Sequence, residues 1–121
     1  PGRTANATIG AHQLRDARPL AGKAPGTVRV FLTGGSTAYG SGAPDDARTI
    51  AGYLERALNE QAGAPGRRFE VVTAGFPGWT STHELLWSTL HLVAYEPDVV
   101  VALSGHNDVH WGMLGIDVRW F

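Results

Sequence analysis

The chain has 121 residues, ten basic and eleven acidic side chains, and a formal net charge of -1. That length holds one domain, or part of a larger one, and a single hydrophobic core. An apolar content of 43% with 17% charged residues excludes wholesale disorder, and near-neutral charge removes the electrostatic reason to expect nucleic acid or an acidic membrane surface as a partner. With no Cys, disulfides, thiolate metal sites and thiol nucleophiles are excluded. The longest apolar run, Val99 to Leu103, has strand length and falls far short of the roughly 20 residues that span a bilayer. Position 1 is Pro rather than Met, so the chain is expected to have been processed or trimmed.

Residues 1–27 mix Gly, Pro, Ala and Arg without a period and read as an irregular N-terminal arm that closes in the turn Pro25-Gly26. Residues 28–121 read as the N-terminal portion of one domain. Val28 to Thr33 is a short β-branched run stopped by Gly34-Gly35. Asp45 or Asp46 is placed to cap a helix in which Ile50, Tyr53, Leu54, Ala57 and Leu58 recur at helical spacing, ended by Gly63, Pro65 and Gly66. Phe69 to Ala74 predicts a second strand, halted by Gly75, Pro77 and Gly78. Ser81 and Glu84 form a capping-box pattern ahead of a second helix that carries Leu85, Leu86, Leu90 and Val93 and stops at Pro97. Asp98 to Ser104 predicts a third strand, continuously apolar in its middle, as in sheets covered on both faces. The β-α-β-α-β order calls for a parallel sheet with right-handed crossovers. Beyond Asp108 the pattern weakens into an uncertain loop that holds His110. The end at Trp120-Phe121 and the three-strand sheet suggest a chain cut short.

A small polar cluster follows each strand: Gly34-Gly35-Ser36-Thr37, then Gly75-Phe76-Pro77-Gly78, then Gly105-His106-Asn107-Asp108. A parallel sheet places all three at one carboxyl edge, where open α/β folds bind ligands. Ser36 sits between glycines and a coming helix, where small neighbours let a substrate approach its hydroxyl. Such a nucleophile needs a base and donors for the oxyanion, and Gly75 can offer a backbone N–H and Asn107 an amide. The alternative is that Ser36 and Thr37 close a turn or cap a helix. The glycines fit neither G-x-G-x-x-G nor a P-loop, although a nucleotide-cradling loop would also follow the first strand. The histidines lack H-E-x-x-H spacing, so no metal and no cofactor are expected. Trp79 and Trp111 follow strand ends and can line the cleft, against the ordinary role of aromatics in burial.

Together these blocks resemble the SGNH (GDSL-like) serine hydrolase family. Gly34-Gly35-Ser36-Thr37 is similar to its first block, with Gly for Asp before the Ser. Thr73-Ala74-Gly75-Phe76-Pro77-Gly78 is similar to the second, with Thr for the usual Asn, and Gly105-His106-Asn107-Asp108 matches the third behind Pro97-Asp98-Val99-Val100. The resemblance implies a three-layer α/β/α flavodoxin-like parallel sheet with strand order 2-1-3-4-5. It also implies Ser36 as nucleophile, with an oxyanion hole of the Ser36 N–H, the Gly75 N–H and the Asn107 side chain; His106, beside Asn107, and Trp79, after a strand end, are expected as substrate contacts from their positions alone. The implied substrate is a small-molecule or carbohydrate acyl ester. The family's Asp-x-x-His base block has no counterpart, since the residues three after each Asp are Pro19, Arg48, Thr49, Val101, Trp111 and Trp120. The expected partner is therefore a C-terminal segment or second chain that completes the sheet and brings the histidine. The rival reading is a catalytically dead carbohydrate-binding or scaffold module of the same fold.

Overall fold

A computed structural model describes residues 2–4, 6–62 and 64–117. Pro1, Gly63, Trp120 and Phe121, which the sequence reading used, lie outside that range. The arm holds two short strands, β1 (Gly2–Arg3) and β2 (Thr8–Ile9), paired antiparallel. The main sheet has three parallel strands, β3 (Thr27–Gly34), β4 (Arg68–Gly75) and β5 (Val99–Leu103), in the order β4-β3-β5. Four helices accompany them: α1 (Ser36–Tyr39), α2 (Ile50–Gln61), α3 (Ser81–Leu90) and α4 (His106–Met113). The expected α/β fold with a parallel sheet is present, and β3 takes the central place.

Alternation along the strands builds one cluster on each face of the sheet. Phe31, Val72 and Ala74 face Leu14 and Leu20 of the arm and Leu92, with Trp87 and Tyr95 packed beside them. Val30, Leu32 and Val71 face Ala38 of α1 and Ala51 of α2, with Leu54 and Leu58 alongside. The irregular arm thus acts as part of a layer. Buried Arg29 of β3 fastens it: the guanidinium donates to the carbonyls of Leu20 and Tyr95, each at 2.8 Å, and pairs with Glu70.

Several local expectations are corrected. Thr49, not Asp45 or Asp46, caps α2: its hydroxyl accepts the Gly52 N–H, and Asp45 caps the 3₁₀ turn Asp46–Arg48 just before. The capping pattern of α3 starts one residue earlier than read, at Thr80, with His83 returning to the Thr80 N–H in place of a Glu. Glu84 is instead buried in the helix, and its Oε1 has no hydrogen-bond partner among the described residues. The segment read as a loop after Asp108 is helix α4, so His110 and Trp111 stand on a helix. Gly105 hides that helix from the sequence: it opens it at φ 99°, and the turn has no Ser, Thr or Asp cap before it.

The largest difference lies in β5. A strand covered on both faces was expected, yet Val99, Val100, Val101 and Leu103 are 39–48% exposed, because among the described residues no helix packs closely over the faces of β5, whose one neighbouring strand is β3. Leu85, Leu86 and Leu90 of α3 and Val109 and Met113 of α4 are more exposed still.

The two outer edges of the sheet differ. On β4, the Asn59 side chain of α2 both donates to and accepts from the Phe69 backbone, at 2.9 and 3.0 Å. Two residues on, Glu55 accepts the Val71 N–H at 2.8 Å and Arg18 donates to the Val71 carbonyl at 2.8 Å. Burial works against the Arg18 charge, but Asp16 and Glu55 outweigh it and hold the guanidinium firmly protonated. Side chains thus occupy the backbone positions a further strand would use on that edge. The outer edge of β5 carries no comparable set among the described residues.

Candidate active site

In register, Gly34 of β3 lies opposite both Gly75 of β4 and Leu103 of β5. The three strands end level, and the loops beyond them converge. Ser36 is the first residue of α1 and is half-buried. Asn107 stands in the first turn of α4, with its Nδ2 donating to the Trp79 carbonyl at 2.6 Å.

Two glycines show how tightly these parts meet. A Cβ at Gly35 would lie 2.5 Å from Asn107 Nδ2, so any side chain there would displace the amide from its place beside the Ser36 backbone. A Cβ at Gly75 would lie 2.7 Å from the Gly34 carbonyl oxygen and 2.9 Å from the Ala38 methyl. Gly75 therefore abuts the helix that carries Ser36, and only glycine permits that approach.

Ser36 and Asn107 border one small cleft with Gly35, Trp79, Ser104 and His106. Its volume is about 20 Å³, room for roughly one water-sized group. Gly75 does not line that cleft. It borders an adjoining cavity of about 280 Å³, and Trp79 borders both. Of the residues expected at the site, Ser36, Asn107, His106 and Trp79 therefore share one cleft, and Gly75 stands at the neighbouring strand end. His106 is exposed and stacks on His110, ring centroids 6.4 Å apart. Trp111 is on α4, away from this lining.

Asp108 accepts from the Ser81 N–H at 3.1 Å and from the Ser81 hydroxyl, which ties α4 to the start of α3. Among the described residues no group of three or more His, Asp or Glu side chains is placed to hold a metal ion, and no helix is long and apolar enough to cross a membrane.

Sequence reasoning missed Arg15. Its side chain is 1% exposed, pairs with Asp46 at 2.8 Å, and donates to the carbonyls of Tyr39 and Gly40 at 3.3 and 2.8 Å. It also donates to the Asn6 carbonyl and lies over the Tyr39 ring. A cation from the arm thus receives the last carbonyls of α1, three to four residues after Ser36. A lone Arg in an aperiodic arm carries no signal for this; only the folded path brings it under α1. Ser104, also unremarked, is the last polar residue before the Gly105 turn and borders the same cleft.

Among solved structures, the chain is similar to AlinE4, an SGNH-hydrolase family esterase, with a TM-score of 0.59 at 22% identity over 75% of this chain and 45% of that one. A point mutant of the same esterase matches equally. The chain spans under half the length of these structures, and the likeness at that identity is one of fold. A search of curated proteins found no match. The model of the GDSL-like Lipase/Acylhydrolase family matches residues 32–119, most of the chain and all three strand-end clusters. A parallel sheet with this strand order, three level strand ends and a family match across them have one common meaning: the chain belongs to the GDSL-like lipase/acylhydrolase family.

Proposed function

We propose that residues 28–121 form the N-terminal portion of the catalytic domain of a serine ester hydrolase, with Ser36 as nucleophile. The observation that carries this reading is that Ser36 and Asn107 border one water-sized cleft. An amide has two N–H groups. The Trp79 carbonyl takes one and fixes the plane, and the proposal assigns the other to a carbonyl oxygen entering the cleft.

In the proposed reaction the Ser36 hydroxyl attacks the ester carbonyl while its proton passes to an imidazole. The negative charge that collects on the carbonyl oxygen is received by the Ser36 and Gly75 N–H groups and the Asn107 amide. Collapse of the tetrahedral intermediate expels the alcohol, which takes the proton from the imidazole. Water then attacks the acyl-Ser36 ester by the same route, releases the carboxylic acid and restores the hydroxyl. His106 and Trp79 border the cleft as substrate contacts.

The imidazole is proposed to come from a segment or second chain that pairs with β5. Two features support that side: the β4 edge is occupied by Asn59, Glu55 and Arg18, and the apolar residues of β5 stand exposed. Incubation with a fluorophosphonate, in the presence of whatever polypeptide co-purifies, is expected to modify Ser36 and to leave Ser36→Ala unmodified. Absence of labelling at Ser36 in an assembly that contains a histidine-bearing partner would reject the nucleophile and favour a binding module that retains only the fold.

A further inference from the structure

Beside the proposed oxyanion site lies the cavity of about 280 Å³ that Gly75 borders. It is lined by His12, Gln13 and Leu14 from the arm, Phe76 after β4, Trp79, and Trp87 from α3. No Asp, Glu, Lys or Arg lines it. The aromatic walls run on from the site itself: Phe76 lies 6.1 Å from Tyr39 of α1 and 6.0 Å from Trp79, and Trp79 lies 6.1 Å from Trp87.

The wall given by the arm is held in place. Leu14 is buried in the core, and the next residue, Arg15, is locked under α1. His12 is pinned by the Tyr95 hydroxyl at 3.1 Å, with its ring edge-on to Tyr95 at 4.9 Å. Gln13 keeps a φ of 62°, a conformation that side chains other than glycine adopt at a cost. Its N–H closes a turn onto the Gly10 carbonyl, and that turn sets Gln13 in the cavity lining.

We infer that this cavity is an acyl pocket: it takes the apolar acyl group of an ester whose carbonyl lies between Gly75 and Asn107, with a hexanoyl-sized chain or a single aromatic ring preferred to acetyl. The inference rests on the esterase reading for the position of the carbonyl. An apolar cavity of roughly 150 Å³ already holds benzene, so this one exceeds the need of a methyl group. A sugar is disfavoured because its hydroxyls would meet Leu14, Phe76 and two indoles, leaving polar groups unpaired. Each methylene buried is worth about fourfold in affinity, so chain length is the readout.

Hexanamide and acetamide are neutral, resist esterases and retain the carbonyl, so binding is separable from hydrolysis. In titrations of the 121-residue chain followed by indole NMR resonances, hexanamide is expected to bind at least about tenfold more tightly than acetamide. It should shift the Trp79 and Trp87 indole signals and leave that of Trp111 in place. Phe76 is half exposed, so Phe76→Ser should fold, and it is expected to erase the preference for the longer chain. Equal affinity for the two amides, shifts confined to other indoles, or an unchanged preference in Phe76→Ser would each overturn the pocket. Retained binding alongside absent Ser36 labelling would reject the esterase reading and leave the pocket standing.

Discussion

Asn107 uses one amide N–H on the Trp79 carbonyl at 2.6 Å and borders the same cleft as Ser36, and the proposed hole takes its other N–H. Asn107→Ala should leave the fold intact and lower kcat on an activated ester by about 10²–10³, the usual loss for one oxyanion donor. An unchanged kcat in that variant would remove Asn107 from the proposed hole. Arg15 acts one layer further out. Asp46, 42% exposed at its side chain, can be rehydrated when Arg15 is removed, so the cost of Arg15→Met falls on the carbonyls of Asn6, Tyr39 and Gly40. Urea unfolding of that variant is expected to show a loss of about 2–3 kcal/mol, the range for hydrogen bonds to a charged donor. The role of Arg15 cannot be read from its neighbours in sequence. Asn107 was placed by the order of three strand ends, whereas Arg15 contacts residues more than twenty positions away.

Each element of the sheet depends on side chains that bond to backbone. Asn59 of α2 closes the β4 edge with two bonds, to the Phe69 carbonyl and from the Phe69 N–H, and is steadied by a third to the Glu55 carbonyl of its own helix. Asn59→Ala should destabilise the chain by about 1–2 kcal/mol in urea unfolding through the buried amide groups it leaves unpaired. A loss no larger than that of an exposed α2 substitution such as Arg56→Ala would show the edge to be water-satisfied. Asp98, just before β5, accepts the Arg29 N–H at 2.6 Å and pairs with Lys23 at 2.9 Å, and together these hold its carboxyl below the ordinary carboxylate value. A depressed folded pKa contributes stability that is present above about 3.9, the unfolded value, and that is lost as pH falls through the folded value. The urea midpoint should therefore drop on acidification below pH about 4, and Asp98→Asn should flatten that drop; an equal drop in both proteins would assign the acid sensitivity elsewhere. The strand positions themselves were legible, because β-branched runs bounded by glycines leave few alternatives. Helix α4 was not, since its start at a positive-φ glycine lacks every usual capping residue.

Across the whole molecule the two sides of the sheet differ in what they leave uncovered. With Val99, Val100, Val101 and Leu103 exposed beside the bare faces of α3 and α4, the isolated chain should self-associate at raised concentration, as unprotected apolar edges do. Sedimentation should show the association weaken in Val100→Lys, and a chain equally monomeric with and without that charge would mean the edge is protected in solution. The order of elements was enough to set the class of fold and to bring the loops of Ser36, Gly75 and Asn107 to one end of it, because a parallel β-α-β-α-β order fixes which loops share an edge whatever the side chains do. Three outcomes came from folding instead: the aperiodic arm is a wall of both core and cavity, Gly75 borders the larger cavity, and the most apolar strand is left largely uncovered. Those outcomes depend on contacts between distant residues, and hydrophobic pattern records what a segment can bury without recording whether a partner is there to bury it.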